Sequence, residues 1–241
     1  MEHMKKHSQT KPVVPVIYRL QRYFLAASIV LGMAATLLMV LTNPGYYNTQ
    51  TGEAGLLAGY THASTLMVQL YLFSSILTFY LLPIGLLAMA WLAMRRAPWL
   101  SSIGSFLVLL GMLPLPAIGV AIQALSYDVV RAGSDPALVA MVQHFNADGV
   151  MSFYNTVDVP GIVFGPMFIG IALWRSRAVP VWSAVTVTIS RLVVFLFPLF
   201  ASLPGVYLQS LSCSLLLIGS LPAAFALLKL PYYENQKVAD I

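Results

Sequence analysis

Asp158 is the one acidic residue that the chain sets inside a long apolar segment, in the run Asn155-Thr156-Val157-Asp158-Val159-Pro160-Gly161. A carboxylate at the centre of a membrane-spanning helix costs roughly 2.5–3.5 kcal/mol on insertion scales. A group held at that cost is expected to pair with a cation, carry a proton, or act as a general acid. Arg191 is the one basic residue inside another apolar segment. Its guanidinium could neutralise Asp158 or hold an anionic ligand through two parallel hydrogen bonds. Tyr154 and Asn155 lie within one helical turn of Asp158, and Gln123, Gln209 and Ser75 fall in the same half of other apolar segments. These seven residues are the ligand-binding candidates, and Asp158 is also the catalytic candidate.

Other chemistry is scarce. Cys213 is the sole cysteine, which excludes an internal disulfide and a cysteine metal cluster. His3 and His7 lie in the N-terminal tail, and His62 and His144 at segment ends, so no histidine sits inside an apolar segment to hold a haem. The chain has no Gly-rich phosphate loop, no His-Glu-x-x-His and no Gly-x-Ser-x-Gly. We therefore expect no cofactor and no metal.

The elements that must position these residues are read from composition. Of 241 residues, 59% are hydrophobic and 9% charged, against about 25% charged in a soluble domain. Mean hydropathy is +0.82. The expectation is an all-α integral membrane bundle. Six segments are long enough to span: about 23–41, 66–94, 99–125, 149–174, 181–201 and 206–228. The chain then divides into a basic tail (1–22), a six-helix domain (23–229) and a short second tail (230–241). The N-terminal stretch lacks a small-residue cleavage site, so the first apolar run reads as a retained helix.

Net charge is +5, but the basic residues sit at segment ends, where they mark cytoplasmic loops rather than nucleic-acid contacts. With both termini cytoplasmic, eleven Lys and Arg fall on the inner side and only Arg131 in an outer loop. That asymmetry fits the positive-inside rule and an inner (cell) membrane location.

The first outer loop (43–65) is rich in Gly and Tyr, suiting the membrane interface. The second holds Ser134-Asp135-Pro136, a helix start with Asp135 as N-cap and Pro136 in the first turn, and predicts a short surface helix. Gly161 and Gly165 form a small-residue step for close helix packing. Two inner turns share a pattern: Trp91, Arg95-Arg96, Pro98 and Trp99, then Trp174, Arg175, Arg177, Pro180 and Trp182. They suggest a repeated two-helix unit. The turn Arg175-Ser176-Arg177-Ala178-Val179-Pro180-Val181-Trp182 resembles one in families of uncharacterised small bacterial multi-pass membrane proteins. The resemblance implies a bacterial inner-membrane setting and no particular activity.

Depth brings the two buried charges together in this reading. At about 1.5 Å per residue, Asp158 stands about 25 Å above Arg175, and Arg191 about 21 Å above Arg177. An Asp158–Arg191 pair is the expected centre of the site. Three functions follow: small-ligand binding or transport without catalysis, an intramembrane enzyme on a lipid or isoprenoid with Asp158 as general acid, or a structural subunit of a membrane complex. The expected partners are the bilayer, a small-molecule or lipid ligand and another membrane protein.

Overall fold

The computed structural model describes residues 16–47, 52–113, 115–193, 195 and 204–230. The tails expected at both ends, with Lys5, Lys6, Lys11 and Lys237, lie mostly outside the described residues. No strand occurs among those described, which are predominantly helical. Four helices are long and apolar enough to cross a membrane: α1 (Val16–Thr42), α3 (Thr65–Ala93), α7 (Gly149–Ser176) and α9 (Gly205–Lys229). Between them stand α2 (Gly52–His62), α4 (Pro98–Met112), α5 (Leu115–Arg131), α6 (Pro136–Ala147) and α8 (Val181–Ser190).

Two of the six expected segments differ from a single crossing. The third is two helices, because Leu113-Pro114-Leu115-Pro116 interrupts it: a proline lacks the N–H for the helical ladder and disfavours helical geometry in the residue before it. α4 ends at Met112 and α5 starts at Leu115. The fifth is α-helical only as far as Ser190, with Arg191 as its C-cap, and residues 196–203 lie outside the described part. The first outer loop carries the helix α2, which its Gly-rich composition concealed. The expected surface helix is present as α6: Asp135 accepts a hydrogen bond from the Ala137 N–H at 2.8 Å, and Pro136 sits in the first turn.

α1 packs antiparallel to α3, and α4 to α7, and glycines set how closely. A Cβ added to Gly32 of α1 would come within 2.8 Å of the Leu81–Leu82 backbone of α3, and one added to Gly85 within 2.8 Å of Ile29 Cα. On α4 and α7, Cβ atoms at Gly111 and Gly161 would lie 2.8 and 2.6 Å from each other's Cα. Gly165 meets Val108, as the small-residue step predicts, and Gly219 of α9 meets Val187 of α8. In lipid the apolar surface of a helix gains little by leaving its surroundings, so backbone approach through small residues supplies the packing energy. The main core joins α1, α3, α4, α7, α8 and α9 around Ile29, Leu86, Met89, Ile169, Leu173 and Leu227. The outer surface stays apolar, with Leu31, Phe73, Phe106, Leu110, Ile218 and Phe225 exposed. A soluble protein rarely carries so much exposed apolar surface, and a lipid-facing one requires it.

One end of the bundle gathers the basic turns. Arg22 at the start of α1 donates to the Leu230 carbonyl at the end of α9, and Arg96 donates to the Ser176 carbonyl at 3.3 Å. The four tryptophans, Trp91, Trp99, Trp174 and Trp182, sit beside these turns and are all exposed. Exposed indoles flanked by arginines fit the headgroup level of a bilayer. At the other end a second, smaller core of Tyr60, Val68 and Tyr71 packs with Tyr127 of α5. Burial raises the pKa of the Tyr60 phenol.

Replacing Gly161 by valine should lower stability by about 1–3 kcal/mol, as overpacking does, because backbone rather than a flexible side chain occupies the space. Gly149→Ala should be close to neutral, since nothing lies within 4 Å of its Cβ position. Thermal unfolding of the purified variants in detergent separates the two, and an equal loss for both would refute the glycine-contact account.

Candidate functional site

A cavity of about 310 Å³ opens between α1, α3, α7 and α9, beyond the point where Gly32 and Gly85 hold α1 to α3. Its walls are mostly apolar, with Met39, Phe79, Pro83, Met112 and Val163 among them. Five polar side chains join them: Thr36, Thr78, Tyr46, Gln209 and Arg191. Thr36 is already satisfied, since its hydroxyl donates to the Gly32 carbonyl at 2.7 Å. Thr78 is buried and its hydroxyl has no hydrogen-bond partner. Tyr46 comes from the 3₁₀ turn Pro44–Tyr47 that follows α1. Its phenol pKa is raised, chiefly by burial and secondarily by Cys213, while the Arg191 charge pulls it down.

Arg191 is the distinctive group. It is 6% exposed, at the C-terminal end of α8. Its Nη1 lies 4.0 Å from the Cys213 sulfur, a weak acceptor, and its Nε is buried with no partner. The position is stabilised in part by the helix macrodipole, which favours a cation near a helix C-terminus. That contribution is small beside the desolvation of a guanidinium, which is several kcal/mol.

The expected Asp158–Arg191 pair does not form. Asp158 Oδ1 is buried without a hydrogen-bond partner, and the guanidinium's one bond is to Cys213. Two physical reasons separate them. First, the turn at 177–180 takes up residues without adding height to α8. Gly170 packs against Thr188. Counted from there at about 1.5 Å per residue, Asp158 lies about 18 Å along α7 and Arg191 only about 4–5 Å along the other segment. Second, the Asp158 backbone carbonyl and Gly161 both lie against Gly111 of α4, and Asp158 is not among the residues that line the cavity, which on α7 are Val159, Ile162 and Val163. Counting residues from a turn gives a height and leaves the direction of the side chain open.

The remaining candidates divide accordingly. Tyr154 belongs with Asp158 against α4, where its hydroxyl donates to the Gly111 carbonyl at 3.2 Å. Asn155 is in α7, but its side chain lies outside the described part. Gln123 sits on α5 beside the tyrosine cluster; its carbonyl accepts from the Tyr60 hydroxyl at 3.3 Å, and its Oε1 is buried and unpartnered. Ser75 is buried in α3 and donates back to the Tyr71 carbonyl at 2.7 Å, so it offers nothing outward. Of the six whose side chains are described, only Arg191 and Gln209 line the cavity. Thr36, Thr78 and Tyr46 line it too and are not among the expected residues. Thr78 carried a usable signal, since an apolar helix interior offers a hydroxyl few partners beyond its own backbone.

A double-mutant cycle checks the separation of the two charges. Arg191→Gln should raise the thermal stability of the ligand-free protein by about 1–2 kcal/mol, since it removes an unpaired charge from apolar surroundings. Combined with Asp158→Asn, the two effects should add within about 0.5 kcal/mol. A coupling above about 1 kcal/mol would put the two side chains in contact.

Comparison with protein-family models, with curated proteins and with solved structures gives no match to this chain. The site's chemistry therefore rests on its own residues.

Proposed function

We propose that the protein is a multi-pass protein of a cell membrane that binds a small ligand within its bundle and performs no chemistry on it, as a carrier or a ligand-binding component. The observation that carries this reading is the cavity with Arg191 in its wall, buried and lacking a counter-charge among the described residues. Charges inside membrane helices that do not pair with one another line substrate or ion pathways. The volume fits the small end of ligand sites, about 300–1,000 Å³, and the lining has the usual makeup of apolar walls with a few polar anchors. The enzyme reading is weaker because Asp158 does not line this cavity.

We further propose six crossings with both termini cytoplasmic. α4 with α5, and α8 with the chain beyond Arg191, complete the two shorter passages. The support is that Arg19, Arg22, Arg95, Arg96, Arg175, Arg177 and Lys229 belong to the four chain segments gathered at one end, in line with the positive-inside rule.

Protein purified in lipid nanodiscs should show, by native mass spectrometry, an added small-molecule mass that leaves on collisional activation and is missing from Arg191→Gln. Identical bare masses for both proteins would remove the ligand-binding reading. For topology, a Cys213→Ala background with single cysteines at Arg131 or Arg177 should react with an impermeant maleimide in intact cells only at position 131. Labelling at 177 and not at 131 would invert the assignment.

A further inference from the structure

We infer that the ligand is a single-chain alkyl carboxylate, with its head on Arg191 and its chain against the apolar wall; this rests on the ligand-binding reading above.

The head follows from the unpartnered donors. Arg191 presents a buried Nε with nothing to bond, and Thr78, buried and also unpartnered, lines the same cavity. Buried polar groups are almost always hydrogen-bonded, so two orphans lining one cavity mark it as the place where a missing acceptor sits. The acceptor has to be anionic, because a neutral one would leave the guanidinium charge uncompensated in low dielectric. One negative charge suffices, since among the described residues Arg191 is the only charged side chain lining the cavity. A guanidinium edge presents two parallel N–H donors, which match the two coplanar oxygens of a carboxylate. A phosphate monoester, with its second charge, would stay half-compensated.

The tail follows from the walls and the volume. Met39, Phe79, Met112 and Val163 offer no hydrogen bonds, so the body of the ligand has to be hydrocarbon. Methionine and phenylalanine adapt to a flexible chain better than to a rigid ring system. About 310 Å³ holds one chain and not the two of a membrane phospholipid. Gln209, near the start of α9, supplies a neutral donor and acceptor at the wall without adding charge.

Photoaffinity labelling of the full-length protein in phosphatidylcholine nanodiscs tests this, with three single-chain probes bearing a mid-chain diazirine: decanoic acid, its methyl ester and decyl phosphate. The acid should label the segments holding Met39, Phe79 and Met112 about ten-fold or more above the ester, the factor that one charge-assisted pair supplies. Unlabelled decanoate should compete. Arg191→Gln should bring the acid down to the level of the ester, and Arg191→Lys should retain part of the difference, having the charge without the fork. Should Arg191→Gln fail to fold, the acid-to-ester ratio on the wild-type chain decides alone. Equal labelling by acid and ester, or stronger labelling by the phosphate, would overturn the carboxylate and leave the cavity as a ligand site. Labelling confined to the lipid-facing surface for all three probes would overturn the ligand site itself.

Discussion

The arrangement depends on how closely helix backbones can approach where glycine removes the side chain. Water contributes nothing to helix association inside a bilayer, so contact has to come from dispersion and geometry. Gly32 and Gly85 are placed reciprocally on α1 and α3, and Gly111 and Gly161 on α4 and α7. Each pair pins its two helices at one depth and one rotation. That rotation governs everything else on the same helix. With Gly161 turned to α4, the Asp158 backbone carbonyl comes against Gly111 as well, while Val159, Ile162 and Val163 line the cavity.

The cavity is a consequence of the same contacts. α1 and α3 touch at Gly32 and Gly85, and one to two turns further out the residues of the two helices that line the cavity are Thr36, Val40 and Phe79, all bulkier than glycine. The cavity opens in that direction. Pro83, inside α3, lacks an N–H for the helical ladder at this same level and gives the helix freedom to bend. Below, interlocked glycines leave no room; above, side chains hold the helices apart. Arg191 and Tyr46 close part of the space from α8 and from the turn after α1.

Much of the fold was legible in the sequence, for identifiable reasons. Lipid makes long apolar runs unambiguous, and α1, α3, α7 and α9 match the expected segments to within a few residues, apart from the extra turns at the start of α1. Asp135 and Pro136 marked α6 because capping and fixed φ are local properties. The break between α4 and α5 was written in Pro114 and Pro116, but hydropathy alone ran across it. α2 was hidden because its Gly-rich sequence has no strong helical periodicity, and its contacts, Gly59 against the Pro44 carbonyl and Tyr60 in the second core, are tertiary. The site was half legible. Arg191 stood out as a charge among apolar residues, and its depth from the turn was misjudged by the length of the turn itself. Thr78 and Tyr46 could not be paired with it, because which helices splay apart is a tertiary outcome with no local signature.

An unpaired Arg191 has a consequence for energetics as well as for chemistry. Carrying a charge into apolar surroundings lowers the stability of the empty protein, and roughly 2.5–3.5 kcal/mol is the scale on insertion measurements. Helices pinned by glycine contacts can bear that, since their packing does not run through the charged side chain. A counter-ion entering the cavity recovers part of the penalty on binding, so the free energy withheld from folding becomes free energy of association. A structural ion pair with Asp158 would have done the opposite, giving its energy to the fold and leaving nothing for a ligand. Counted from the contact of Gly170 with Thr188, Asp158 lies about 18 Å along α7 and Arg191 only about 4–5 Å along its own segment, and that difference in depth keeps the carboxylate away from the guanidinium and the site receptive.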